Sequence, residues 1–173
     1  TLAGPPGTAG FADHAERAQS DYAKAFELHS HDPGLAVNRA NLLSQLHRDA
    51  EAEEWYFKAI ELQGGMERAF RGHYSLAIHL FDKGRRQFDQ EKPEPAQESL
   101  EASAEQVEAA VKVMYAIIGD MIQLPRVSIH ESLGTAREAS GDRAGALESY
   151  DFASKLHYGT RAHYRAGVLI GKM

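Results

Sequence analysis

Apolar residues return every three or four positions along most of this chain, the spacing of helices that bury one face. The pattern predicts helices over about 11–28, 34–47 and 49–62, with Asp32-Pro33-Gly34 opening the second and Gly64-Gly65 ending the third. Phe70, Tyr74, Ala77, Phe81 and Phe88 mark a longer helix running to about residue 90, which Glu91-Lys92-Pro93-Glu94-Pro95 breaks. Beyond the break, Leu100, Ala104, Val107, Val111, Met114, Ile118 and Met121 alternate spacings of four and three. That is a heptad seam, on a helix of about 26 residues that Gly119 and Leu124-Pro125 end. Residues 132–140 and 143–156 make the last complete pair around the Gly141-Asp142 turn, and a further helix starts near Thr160. Residues 1–10, rich in Gly, Pro and Ala, offer nothing to bury and are expected to be a flexible lead-in.

Three of the predicted helices carry the same trio. Ala18, Tyr22 and Ala25 return 34 positions later as Ala52, Tyr56 and Ala59, and again as Ala146, Tyr150 and Ala153. Alanine at i and i+7 lets a second helix approach closely, and the tyrosine at i+4 stands on the same face. In the last copy Leu133-Gly134 precedes Ala146 by a turn and a helix; in the middle copy Ala40 takes the glycine's place and Trp55-Tyr56-Phe57 the aromatic one. The pattern resembles the tetratricopeptide repeat, a helix-turn-helix unit of about 34 residues. The match is strong over 33–66 and 127–160, partial over 11–32 and degenerate between 67 and 125. The resemblance implies an all-α, right-handed superhelical array over residues 11–173, with about three and a half units and one enlarged helix pair at about 67–125. The two long helices of that pair are expected to exceed five turns each and to stand out from their neighbours.

The resemblance also implies a mode of action. In such arrays the first helices of successive units line a concave groove that holds a peptide, and some members grip a partner's C-terminal carboxylate with Asn and basic residues. Val37-Asn38-Arg39-Ala40 is similar to the Asn-bearing stretch of those members. Asn38, Asn41, Ser44, Gln45, Arg68 and Arg71 are the candidate groove residues, since a carboxylate in a groove calls for charge-assisted donors. The reading is a non-catalytic scaffold that binds a protein or peptide. Two alternatives stand beside it: a homo-oligomeric assembly protein that uses the protruding pair or the ends of the array, and the recognition module of a larger enzyme. Residues 160–173 read equally as the first helix of another unit, in a chain cut from a longer one, and as a terminal cap.

Composition narrows the chemistry. The net charge is −6, which argues against a phosphate-binding surface and so against nucleic acid. No window holds the 18 or more apolar residues of a membrane span. Without cysteine there is no disulfide, thiol nucleophile or Cys-based zinc site, and cytoplasm and periplasm both stay open. Nine histidines include no i, i+4 pair and no His-Glu-x-x-His, so no metal or cofactor is expected. His29 and His31 fall in a loop, and His130-Glu131 lacks an orienting third group, so no enzyme activity is expected. The run Glu91, Glu94, Glu98, Glu101, Glu105 and Glu108 reads as a solvated face opposite the heptad seam.

Overall fold

A computed structural model describes residues 9–62, 65–118, 122–157 and 161–171. Within them lie eight helices: α1 (Ala9–Leu28), α2 (Pro33–Gln45), α3 (Asp49–Glu61), α4 (Met66–Asp89), α5 (Pro93–Ile118), α6 (Gln123–Ser140), α7 (Arg143–Leu156) and α8 (Arg161–Ile170). No strand occurs among the described residues, and the protein is all-α. Residues 1–8 of the expected lead-in, Gly64, Gly119 and Met121 lie outside the described residues, and residues 9 and 10 belong to α1.

The two long helices are α4, of 24 residues, and α5, of 26. Proline placement explains where the sequence reading went astray. The expected break at 91–95 is shorter, because Pro93 is the first residue of α5 and Pro95 falls in its first turn. Leu124-Pro125, expected to be a break, lies inside the first turn of α6, which starts nine residues before the expected 132. A first-turn proline gives up no intrahelical hydrogen bond and its fixed φ suits the helix.

The chain divides into two compact units, with the boundary in α4 after Leu76. In the first, α2 packs against α1 and α3. Asp32 caps α2, its carboxylate accepting from Gly34 N–H at 2.8 Å. Phe26 meets Trp55 edge to face, and the Arg39 guanidinium lies 4.1 Å from the Trp55 ring. In the second, α5 packs on α6, α6 on α7 and α7 on α8. Its core joins Ala77, Leu100, Val107, Ile129 and Leu133 in one cluster and Val127, Tyr150, Ala153, Ala162 and Leu169 in another.

One close contact recurs, and it reaches the stretch where the trio had seemed lost. A Cβ on Gly134 would stand 2.5 Å from the Tyr150 ring, so α6 and α7 touch through the glycine's missing side chain. A Cβ on Gly84 would stand 2.7 Å from Leu100 Cγ, which brings α4 and α5 together the same way. Twelve residues after Ala40, Gly84 and Gly134 come Ala52, Ala96 and Ala146, all fully buried. Tyr56, Leu100 and Tyr150 follow at +16, and Ala59, Ser103 and Ala153 at +19, all buried. The Ser103 hydroxyl, in an alanine's place, donates to Ala77 C=O at 2.7 Å. The turn recurs as well, since His47, Glu91 and Gly141 each take a left-handed φ, of 57°, 60° and 90°, five residues before the buried alanine. In the first two turns the next amide closes back onto the helix it leaves, Arg48 N–H to Leu43 C=O and Lys92 N–H to Gln87 C=O.

Candidate binding cleft

The sequence candidates sit in the first unit. Asn38 is half-buried, whereas Asn41, Gln45, Arg68 and Arg71 are exposed. Asn41 Oδ1 accepts the Tyr56 hydroxyl at 2.6 Å, which ties it to the α2–α3 contact. Ser44 is half-buried and already engaged. Asn38, Gln45, Arg68 and Arg71 make no side-chain hydrogen bond or ion pair with a described residue, so no direct bond joins the two asparagine-bearing turns to the arginines. Arg68 and Arg71 fall in the opening turns of α4, before the stretch in register with α2.

In the second unit α4, α6 and α8 surround a cleft of about 190 Å³. Arg85 and Asp89 come from α4, Ser132 and Thr135 from α6, Arg161 and Arg165 from α8, and Phe88 and Leu100 supply apolar lining. The recurring register explains this lining. Arg85 and Thr135 each follow the close-contact glycine, as Asn41 follows Ala40; Ser132 stands two residues before it, as Asn38 does before Ala40. The positions that single out Asn38 and Asn41 on α2 are therefore the ones that line a cleft here.

The three arginines are held differently. Arg165 Nη1 donates to Thr135 Oγ1 at 2.8 Å and to the Tyr150 hydroxyl at 2.9 Å, with Glu138 Oε2 3.7 Å away. It is a fixed charge. Arg85 and Arg161 are exposed and have no ion-pair partner among the described residues. Two exposed guanidinium groups therefore flank a fixed one; Asp89 is the carboxylate among the lining residues, and Glu138 stands beside Arg165. Such a set can hold a carboxylate or another anion by forked, charge-assisted hydrogen bonds.

Other ionisable groups on α5 and α6 join helix to helix. Arg126 donates from Nε and Nη2 to the two Glu108 oxygens, both at 2.8 Å. Arg137 donates to Glu101 Oε1 at 2.8 and 3.0 Å and reaches Gly145 C=O and Ser149 Oγ on α7. Glu101 and Glu108 are half-buried, so the acidic run is no uniform solvated face: these two, seven residues apart, turn toward α6 and each meets an arginine, while Glu94 is exposed. Burial pushes the Glu108 carboxyl up, but His130 and the Arg126 guanidinium outweigh it and hold the group below its ordinary value of 4.5. His130 packs on Phe152, ring centroids 4.2 Å apart, while Glu131 accepts Ala162 N–H at 2.8 Å. The two neighbours thus have separate partners. Among the described residues no cluster of three His, Asp or Glu could hold a metal, and no helix is long and apolar enough to cross a membrane.

Sequence reasoning missed Arg85, Ser132, Thr135, Arg161 and Arg165. For Arg85 the signal was the register of the α4–α5 pair, which Leu100 in place of tyrosine and Ser103 in place of alanine concealed; for Ser132 and Thr135 it was their place beside Gly134. Compared with known proteins, the chain matches no family model and no curated protein.

Proposed function

We propose that this chain is a non-catalytic binding module, an array of the tetratricopeptide type, that captures an acidic segment of a partner protein. The recurring close contact at Ala40, Gly84 and Gly134 supports the array reading, because it is the contact the resemblance requires. The cleft between α4, α6 and α8 is the capture site. The observation that carries it is the pair Arg85 and Arg161, charged, exposed and without an ion-pair partner among the described residues, beside the fixed Arg165. Solvated guanidinium groups at the edge of a groove gain most when a carboxylate arrives, each charge-assisted hydrogen bond contributing about 1.5–3 kcal/mol. Alternate helices supply the wall, so an extended peptide can run across all three.

The test is fluorescence anisotropy with a labelled Asp- and Glu-rich peptide ending in a free carboxylate. Reversing both charges in R85E/R161E abolishes binding while helicity and melting stay unchanged. The parallel variant N38A/R71A examines the first unit. Loss of binding in that variant alone would move the site to α2 and the start of α4, and retention of full affinity by R85E/R161E would overturn the proposed cleft.

A further inference from the structure

We infer that a cavity between α5, α6 and α7 receives an arginine side chain from a basic segment of a partner protein. The cavity holds about 350 Å³ and shares no lining residue with the cleft proposed for an acidic segment. Ala104, Leu133 and Phe152 give it apolar walls, Glu105 lines it from α5 and Glu148 from α7. The first unit shows what fills this place. In the register of the recurring contact, Phe26 of α1 and Trp55 of α3 correspond to Ala104 and Ser149, and Arg39 and Lys58 correspond to Leu133 and Phe152. Phe26 and Trp55 meet there edge to face, ring centroids 4.9 Å apart. The Arg39 guanidinium stands 4.1 Å from the Trp55 ring, and the Lys58 ammonium 4.8 and 4.9 Å from the Phe26 and Trp55 rings. Two planar groups and two cations thus occupy the groove of the first unit. In the second unit all four positions differ: small side chains stand in place of the rings and apolar ones in place of the cations, and a cavity results.

The carboxylates are the same in both units. Glu27 and Glu54 correspond to Glu105 and Glu148, and all four are exposed. The local charges decide what the cavity prefers. Glu101, also in its lining, is paired with Arg137, and Glu108 beside it is paired with Arg126. Glu105 and Glu148 have no ion-pair partner among the described residues. Lys155 is held by Asp151, while Lys112 and Arg143 stand seven and five residues from Glu105 and Glu148, about 10 and 8 Å along their helices. An arginine supplies what this place lacks. Its guanidinium takes the room of a ring, its stem lies on Ala104, Leu133 and Phe152, and its forked donors meet the Glu105 or Glu148 carboxylate. A lysine brings the charge without the plane, and a tryptophan brings the plane without the charge.

The test uses the full chain and a labelled peptide of alternating arginine and glycine, read by fluorescence anisotropy. Parallel peptides carry lysine or tryptophan in place of arginine. The wild type binds the arginine peptide at least about fivefold more tightly than either. E105Q/E148Q weakens that binding at least about tenfold, whereas E61Q/E67Q, which removes the same charge from exposed residues of the first unit and the start of α4, leaves it unchanged. Ala104→Phe sets a ring where Phe26 has one and keeps every charge, and it too weakens binding at least about tenfold. Circular dichroism checks folding, and the two exposed-residue variants decide the matter if Ala104→Phe unfolds. A wild type that does not bind the arginine peptide would overturn the inference. Equal affinity for the lysine peptide, equal losses in E61Q/E67Q and E105Q/E148Q, or full affinity in a folded Ala104→Phe would each overturn it as well, because net charge alone would then attract the peptide. Tighter binding of the tryptophan peptide would give the cavity to an aromatic side chain instead.

Discussion

Gly134 shows how little room one residue can have. The nearest Tyr150 atoms lie 2.5–3.0 Å from a Cβ built there, and that ring is itself buried and held through its hydroxyl by Thr135 and Glu138. It cannot swing aside. Gly134→Ala should therefore lower stability by about 1–3 kcal/mol of overpacking, although alanine is the better helix former by about 1 kcal/mol. Thermal melting checks this, and an unchanged or raised Tm would show that the contact gives way. Glu108 supplies the pH dependence. Its carboxyl is held below 4.5 in the fold, so its contribution is complete above that value and is lost as the pH falls through the lowered one. Glu108→Gln should cost about 1.5–3 kcal/mol at neutral pH and flatten the stability profile on the acid side. Denaturant unfolding at pH 7 and pH 3 measures both, and equal losses at the two pH values would assign the effect to packing.

At the scale of elements, what could be read from the sequence depended on side-chain chemistry. The α2–α3 and α6–α7 pairs announce themselves because Tyr56 and Tyr150 flank their alanines. The α4–α5 pair keeps the geometry with Leu100 and Ser103, residues that also fit any helical core, and its extra turns displace the spacing. Its register therefore became visible only through the contact at Gly84. The same uncertainty left Arg85 outside the groove candidates, which on α4 were Arg68 and Arg71. Proline misled twice, at Pro93 and Pro125, since a helix-opening proline and a helix-ending one look alike without the hydrogen bonds around them. The turn after α4 carries its own prediction. Glu91 holds a φ of 60°, a conformation that costs an ordinary L-residue roughly 1–2 kcal/mol and glycine almost nothing. Glu91→Gly should raise stability by up to about 1 kcal/mol after the entropy of the freer unfolded chain is set against it. A lower Tm would show that the Glu91 side chain has a role of its own.

For the whole molecule, charge is the property to follow. A chain of net charge −6 repels acidic partners at long range, yet the proposed cleft gathers three arginines. Capture of an acidic peptide should then respond to salt in two opposing ways: screening weakens the local contact and also relieves the general repulsion. The short-range contact dominates once the peptide is seated, so affinity should fall between about 0.05 and 0.5 M salt, where the Debye length shrinks from above 10 Å to a few ångström. Titrations across that range check it, and an affinity that rises with salt would mean that the net charge, not the cleft, governs binding.

The arginine clamps on α5 set where that helix can stop. An apolar seam repeating every seven residues is, as far as hydrophobic burial can tell, nearly the same surface after a slide of one heptad. Glu101 and Glu108 stand seven residues apart on α5, but their partners Arg137 and Arg126 stand eleven apart on α6. A slide that brings Glu108 to Arg137 sets Tyr115 in the place of Glu108 and leaves Arg126 unmatched, and the opposite slide brings Glu94 to Arg137 and Glu101 to Arg126 but leaves Glu108 without an arginine. The seam supplies adhesion without an address, and the mismatched ion pairs supply the address.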